Sequence, residues 1–194
     1  MLLRTDTLAI RCESRIGSLV HGSGHRKVAC PTMSAAGDTL TADDWKRPVR
    51  FKGRIATIGY EGRSIDEFIS LLVAANVDIL VDVREQAMSR RKGFSKKALT
   101  AAAEAADIAY RHEPLLGNPK ANRESFRAGS EIARQTFLAH LNNGSRAMYD
   151  EIVDLARTNV VALLCFERAH DHCHRSCISG QAQSEHPSLS VERL

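Results

Sequence analysis

The sequence lacks the features that would mark a membrane protein, a disulfide scaffold or a repeat array. It has no apolar run near the roughly 18 residues that a membrane-spanning helix needs, no apolar signal segment at its N-terminus and no internal repeat. Its five cysteines are an odd number without a secretory signal, which argues against a disulfide framework. We therefore expect a cytoplasmic protein with no membrane association.

Aromatic residues are scarce, at 5% of the chain, while apolar residues make up 43% and charged residues 26%. The last two fractions are close to the average for soluble globular proteins. The length of 194 residues allows one globular domain and some extra chain. The formal net charge of +4 is mildly basic and is compatible with an anionic partner, but it leaves the oligomeric state open.

Residues 1–52 show no sustained period of 2 or 3.6 and are interrupted by several glycines and prolines. We expect an irregular or disordered N-terminal extension there. Met33 is followed by small residues that are typical of a start, so we hypothesise that residues 1–32 lie upstream of the native N-terminus.

The folded part, over residues 53–183, alternates short apolar runs with helical patterns. Predicted strands cover residues 55–59, 78–83, 108–112 and 160–164, and the last of these is expected to be the final strand. One predicted helix begins at Ser64, and three more span residues 95–106, 123–142 and 148–155. A short helix is predicted from about Cys173. This order predicts an α/β fold with an open, mostly parallel sheet of about four or more strands and helices on both faces. Residues 184–194 are expected to form a polar, frayed tail.

Chemically versatile residues follow each of the four predicted strands. Ligands bind outside the carboxyl ends of the strands in open parallel sheets, so we expect a site at this edge. The alternative is that some of these carboxylates only cap helices, with Glu61 the best example. The residues at the strand ends are Tyr60 and Glu61; Asp82 and Arg84; His112 and Glu113; and Cys165, Glu167 and His172.

Asp82 and Arg84 lie two residues apart at the end of a buried strand and therefore project to the same side. Two interpretations remain open for Asp82: a general base or acceptor of a substrate hydroxyl, and a structural ion pair. From Arg84 to Lys97 the chain carries six positive charges against one acid. Arg90 and Arg91, with the helix start at Ser95, could contact phosphates, or this stretch is simply a solvated surface.

The stretch from Cys165 to Arg175 is the densest cluster of reactive side chains. A zinc site would use Cys165, His170, His172 and Cys173, although the spacing matches no standard finger. A phosphatase-type nucleophile would need arginine where Asp171 stands, so we reject that role for Cys165. In the preferred interpretation, Glu167 is a general acid or base. His172 and Arg175 would then orient Glu167 or bind a phosphate. Cys165 would then pack beneath Glu167 as a small buried side chain, and no metal or cofactor would be needed.

Five motifs in order resemble the DUF488 family of domains of unknown function, over residues 54–180. The chain departs from the family at the glycine turn, where many members have a histidine and a small polar residue, and after Asn118, where glycine is less frequent. The motifs are Thr57-Ile-Gly-Tyr-Glu-Gly-Arg-Ser64, Leu80-Val-Asp-Val-Arg84, Ser89-Arg-Arg91 with Phe94-Ser95, Tyr110-Arg-His-Glu-Pro-Leu-Leu-Gly117, and Leu164-Cys-Phe-Glu167 with His172-Cys-His-Arg-Ser176.

The resemblance implies an α/β fold and a limited statement about activity, because most members have none assigned. Some members of the superfamily look like DNA glycosylases that act on 5-hydroxymethyluracil. By that similarity, the matching positions here are Tyr60, Asp82, Arg84, Cys165, Glu167, His172 and Arg175.

We therefore expect a hydrolase of an N-glycosidic bond, with Asp82 or Glu167 as the catalytic carboxylate and DNA or a phosphorylated small molecule as the partner. Tyr60 or Phe94 would stack on the flipped base. Two alternatives remain: a non-catalytic binding module for a phosphorylated ligand or nucleotide, and a zinc-stabilised domain.

Overall fold

A computed structural model describes residues 53–194 of the chain. The predicted irregular extension and the proposed start at Met33 lie outside the described residues. The strands are β1 (Arg54–Gly59), β2 (Ile79–Asp82), β3 (Ala109–His112), β4 (Val160–Cys165) and β5 (Ser190–Arg193). The helices are α1 (Ile65–Ala74), α2 (Lys96–Ala105), α3 (Arg123–Arg127), α4 (Glu131–Asn143), α5 (Arg146–Ala156) and α6 (Arg175–Glu185).

The five strands form one sheet in the order β3-β2-β4-β1-β5, and every neighbouring pair is parallel. Ile55 of β1 lies opposite Val161 of β4, and Leu80 of β2 lies opposite Ala162. β4 is central because its six residues are almost all apolar and buried, as a strand covered on both faces requires.

Alternate residues of the central strands face two separate hydrophobic layers. Ile55 packs with residues of α4, α5 and α6, whereas Ala56 and Ile58 pack with residues of α1 and α2. Helices therefore cover both faces of a parallel sheet, which confirms the predicted α/β fold class.

The predicted helix over 123–142 is two helices in the structure. Gly129 has a φ of 79°, in the left-handed region that favours glycine, and it separates α3 from α4. Ser130 then caps α4 by accepting a hydrogen bond from the Ala133 amide. The predicted cap at Ser64 is confirmed, because its hydroxyl accepts a hydrogen bond from the Glu67 amide that starts α1.

The prediction of a frayed tail was wrong, and β4 is not the last strand. α6 continues to Glu185, and β5 then adds to the sheet edge in parallel with β1. Leu189 is 3% exposed, and Glu192 forms an ion pair with Arg54 at 2.7 Å. The alternation in Leu189-Ser-Val-Glu-Arg-Leu194 was the available signal. Over the described range 53–194, no helix is both long and apolar enough to cross a membrane.

Candidate functional site at the carboxyl edge of the sheet

The candidate site lies where the chain leaves β2 and β4 in opposite directions. The segment after β2 leads to α2 on one face of the sheet, and the segment after β4 leads to α6 on the other. Such a divergence of neighbouring strands opens a crevice at the carboxyl edge of a parallel sheet. The pocket described below lies in this crevice.

We call this crevice the edge pocket, and the segments that follow β1, β2, β3 and β4 contribute to its wall. Its volume is about 140 Å³, which is similar to that of a cavity of roughly 150 Å³ that holds one benzene molecule. A single six-membered ring therefore matches its size. Its principal lining side chains are Tyr60 after β1, Arg84 after β2, Arg123 and Arg127 after β3, and Cys165, Phe166, Glu167, His172, Cys173 and His174 from the end of β4 onwards.

A buried polar network supports one wall of the edge pocket. Arg84 donates hydrogen bonds to both carboxylate oxygens of Asp82, from Nε at 2.7 Å and from Nη2 at 2.5 Å. Its Nη1 donates to the Tyr60 hydroxyl at 3.1 Å and to the Phe94 carbonyl at 3.0 Å. Burial acts to lower the pKa of Arg84, but the hydrogen bonds and charge of Asp82 outweigh it and raise the pKa. Arg84 is thus a fixed cation.

Asp82 is fully buried and already has its partners. Its side chain is 0% exposed, and Tyr110 donates a third side-chain hydrogen bond to it at 2.7 Å. Burial, followed by the hydrogen bond to Asp82, raises the pKa of Tyr110. Of the two interpretations of Asp82, the geometry is that of the ion pair, and its carboxylate does not contribute to the wall of the edge pocket.

Phe94 lies behind Tyr60 and not in the edge pocket. The two rings stack with their centroids 4.4 Å apart and 11° between their planes. Phe94 is 0% exposed, so it supports the loop and is not available to stack on a base. Phe166 instead lies at the pocket mouth, 39% exposed, with its ring edge-on to Tyr60.

Glu167 is the carboxylate that the structure brings into the edge pocket at the end of β4. Arg127 donates to its Oε1 from Nε at 3.0 Å and from Nη2 at 2.8 Å. Its other oxygen, Oε2, lies 2.9 Å from the Cys165 sulfur. The side chain of Glu167 is 16% exposed. Its carboxylate is thus oriented by Arg127 and remains accessible from the pocket.

The loop that carries Glu167 is held through its backbone. Arg175 is 1% exposed and donates to the Glu167 carbonyl at 2.5 Å and to the Cys173 sulfur at 3.2 Å. Gly59 lies against the same carbonyl, and a Cβ at Gly59 would lie 1.9 Å from it. Of the two roles predicted for Arg175, orienting Glu167 or binding a phosphate, this geometry is that of the first, because Arg175 supports the Glu167 loop from behind.

Two buried thiols and a buried imidazole lie beneath Glu167. His174 Nδ1 is 3.9 Å from the Cys165 sulfur and 3.7 Å from the Cys173 sulfur. Burial opposes ionisation of Cys173, but its hydrogen bond with Cys165 and the nearby His174 and Arg175 lower the pKa of the Cys173 thiol well below its usual value. The hydrogen bond to Cys173 and burial raise the pKa of Cys165. The expectation that Cys165 packs beneath Glu167 is confirmed.

The histidines of this stretch are arranged differently from the prediction. His174 was not among the predicted zinc ligands, but it is only 5% exposed. His170 is bonded instead to Thr57, with 2.9 Å between Nδ1 and the hydroxyl oxygen. His172 is exposed, and its Nδ1 lies 3.0 Å from the Arg127 carbonyl. Of the predicted zinc ligands, only the two cysteines come together.

Other residues predicted for the site lie around the edge pocket. Arg90, Arg91 and Ser95 are exposed beside the start of α2 and do not line the pocket. His112 Nε2 is 2.9 Å from the Arg84 carbonyl, so it supports the network behind Tyr60. Glu61, suggested as a helix cap, instead accepts a hydrogen bond from the Arg168 amide at 3.1 Å.

Among the residues of the edge pocket that sequence reasoning missed are two arginines and a histidine. Arg123 pairs with Glu85 across the mouth, and Arg127 pairs with Glu167. Both arginines lie on α3. The sequence predicted one long helix over 123–142, so α3 was not recognised as a separate element at the pocket. His174 is the third, and its place next to Cys173 in the sequence does not indicate that its side chain joins those of the two cysteines.

Comparisons with known proteins agree with the motif resemblance. The family model described as "Domain of unknown function DUF488" matches residues 64–181, more than half of the chain and all the strand ends of the edge pocket except that of β1. No curated protein and no solved structure matches the chain.

Proposed function

Because the chain belongs to the DUF488 family, whose shared domain has no assigned function, we propose a function from the edge pocket itself. The proposed reaction is hydrolysis of the N-glycosidic bond of a modified pyrimidine in DNA, with 5-hydroxymethyluracil as the first substrate to test. The observation that carries the proposal is the Glu167 carboxylate, which is held by Arg127 and accessible from a pocket of about 140 Å³.

The chemistry needs a carboxylate at the sugar. Cleavage of a glycosidic bond passes through an oxocarbenium-like state, which a nearby negative charge stabilises. In the proposed step, water forms a bond to C1′ and gives one proton to Glu167. The C1′–N bond breaks and its electron pair leaves with the base, which takes up the proton that Glu167 received. The products are a free base and an abasic sugar.

The size and walls of the edge pocket support a pyrimidine as the reacting group. Its volume suits one six-membered ring, and Tyr60 and Phe166 supply aromatic surface. A base that is flipped out of a duplex is commonly held by stacking and by hydrogen bonds to its edge. The edge pocket offers aromatic groups and cationic donors for these two interactions.

The charges around the mouth support a polyanionic substrate. Arg127 is 52% exposed and Arg123 is 35% exposed, so both can also reach a phosphate. Arg90 and Arg91 add exposed positive charge after β2. In this proposal, Asp82 acts through Arg84 and Tyr60 as a positioning residue, and the general base is Glu167.

Base release from modified DNA tests the proposal. Duplex and single-stranded oligonucleotides, each with one modified uracil, are incubated with the full chain and then cleaved with alkali at abasic sites. We expect breaks with the wild-type protein and none with Glu167→Gln. Glu113→Gln is the matched control, because Glu113 lies at the same sheet edge but pairs with Arg111 outside the pocket.

Three outcomes are distinguishable. Breaks that depend on Glu167 and survive Glu113→Gln support the proposal. Breaks of equal yield in Glu167→Gln contradict the role of this carboxylate. DNA binding without breaks on every modified base contradicts catalysis and favours the alternative, a binding module for a phosphorylated ligand.

A further inference from the structure

Beneath Glu167, three metal-binding side chains converge, and we call Cys165, Cys173 and His174 the thiol cluster. All three are buried, and one sulfur or nitrogen atom from each lies within 4.8 Å of the other two. We propose that the thiol cluster binds a zinc-class divalent metal ion, with its fourth coordination position open to the edge pocket. This inference concerns metal binding alone and does not depend on the proposed reaction.

The distances fit tetrahedral zinc. With Zn–S near 2.3 Å and Zn–N near 2.0–2.1 Å, a tetrahedral site separates sulfur from nitrogen by about 3.6 Å. The two sulfur-to-Nδ1 distances are 3.9 Å for Cys165 and 3.7 Å for Cys173. Shifts of a few tenths of an ångström would therefore bring each sulfur to the tetrahedral distance from Nδ1. Two thiolates and an imidazole are soft and borderline ligands, which select zinc over magnesium or calcium.

The surroundings of His174 prepare it as a ligand. Its Nε2 lies 3.0 Å from the Val83 carbonyl, which can only accept a hydrogen bond. Nε2 therefore carries a proton, and Nδ1 is the ring nitrogen that faces the two sulfurs. A backbone carbonyl that accepts a hydrogen bond from the other ring nitrogen is one of the common second partners of a metal-bound histidine.

Arg175 provides a second supporting contact, to a sulfur atom of the thiol cluster. Its Nε donates a hydrogen bond to the Cys173 sulfur at 3.2 Å, and its guanidinium is buried. A buried cation helps to balance the two thiolates that a metal ion would require. Thiol ligands bind the ion as thiolates, so the metal affinity rises with pH.

Glu167 marks the open side of the thiol cluster. Its Oε2 lies 2.9 Å from the Cys165 sulfur and 3.4 Å from the Cys173 sulfur, and all four residues line the edge pocket. Three protein ligands with one open position are typical of catalytic zinc sites. Zinc deaminases likewise use histidine and two cysteines as ligands and a nearby glutamate that is not a ligand.

Metal analysis of the full chain tests the inference. The protein is purified under reducing conditions, and its zinc content is measured by mass spectrometry. We expect one zinc ion per chain in the wild type, and background content in Cys173→Ala and His174→Ala. Cys177→Ala and His170→Ala are the matched controls: Cys177 is a buried cysteine outside the thiol cluster, and His170 contacts Thr57 and does not line the edge pocket.

Cobalt substitution is a second test that remains valid if a ligand variant does not fold, because the absorption of the wild-type chain alone decides its result. We expect thiolate-to-cobalt absorption in the wild-type protein and in Cys177→Ala. A wild-type chain that neither contains zinc nor develops this absorption would overturn the inference. Unchanged metal content in a folded Cys173→Ala chain would also overturn it. Metal content is measured without a substrate. The result therefore does not depend on whether the proposed reaction occurs.

Discussion

At the scale of single residues, the two candidate carboxylates differ in what surrounds them. Asp82 is fully buried and bonded to Arg84 and Tyr110, whereas Glu167 is bonded to Arg127 and remains accessible from the edge pocket. Their sequence contexts are similar, since each lies near the end of an apolar strand. Burial and access to the edge pocket therefore distinguish the structural carboxylate, Asp82, from the candidate catalytic one, Glu167.

The first prediction concerns the stability of the Asp82 ion pair. Asp82→Asn leaves the Arg84 charge buried without its counter-charge, so we expect the free energy of unfolding to fall by about 3–5 kcal/mol. Urea titration measures this change. Asp154→Asn is the control, because Asp154 is 73% exposed and forms only a surface pair; its effect should be within about 0.5 kcal/mol. Equal effects of the two variants would contradict the structural role of Asp82.

The sequence identified the residues at the strand ends, but it did not predict which of their side chains contact one another. Asp82, Arg84 and Glu167 were identified because they follow apolar strands. The histidine of the thiol cluster was not, because adjacent residues such as Cys173 and His174 give no sequence signal of which way each side chain points. The tight turn after His170 and the start of α6 determine that.

At the scale of elements, the segment between β4 and α6 carries most of the site. It is fixed at the sheet by the close approach of Gly59 to the Glu167 carbonyl. The sequence indicated that Gly59 ends a strand, but it did not indicate what approaches it.

The second prediction concerns this contact. Gly59→Ala places a methyl group 1.9 Å from the Glu167 carbonyl oxygen, so the loop must move. We expect a loss of about 1–3 kcal/mol in the free energy of unfolding, together with loss of the Glu167-dependent activity. Gly180→Ala is the control, since nothing lies within 4 Å of its added Cβ and it is in a helix; stability should be unchanged or rise by up to about 1 kcal/mol. A stable, fully active Gly59→Ala chain would show that the loop is not fixed here.

At the scale of the whole molecule, the alternation of strands and helices was enough to predict the layers. The fifth strand was missed because β5 has four residues and follows a polar stretch. The strand order could not be predicted, because it depends on which neighbours the crossovers bring together and not on local pattern. The crevice between β2 and β4 is a consequence of that order.

The third prediction concerns the charge distribution of the molecule. If DNA is the partner, Arg90→Ala combined with Arg91→Ala should weaken binding and flatten the dependence of log affinity on log salt by roughly 1–2 units. Arg157→Ala is the control, because Arg157 is 62% exposed and precedes β4, at the opposite edge of the sheet. Fluorescence anisotropy across a salt series measures both. An unchanged slope in the double variant would remove this segment from the interface.

The most direct test of the central claim is the single-turnover rate of base release, measured with DNA affinity on the same samples. If Glu167 activates the attacking water, Glu167→Gln should slow release by about 10²–10⁴-fold, while the affinity for DNA stays close to that of the wild type. Equal rates of base release in the two proteins would contradict the assignment of Glu167 and, with it, the edge pocket as the site of reaction.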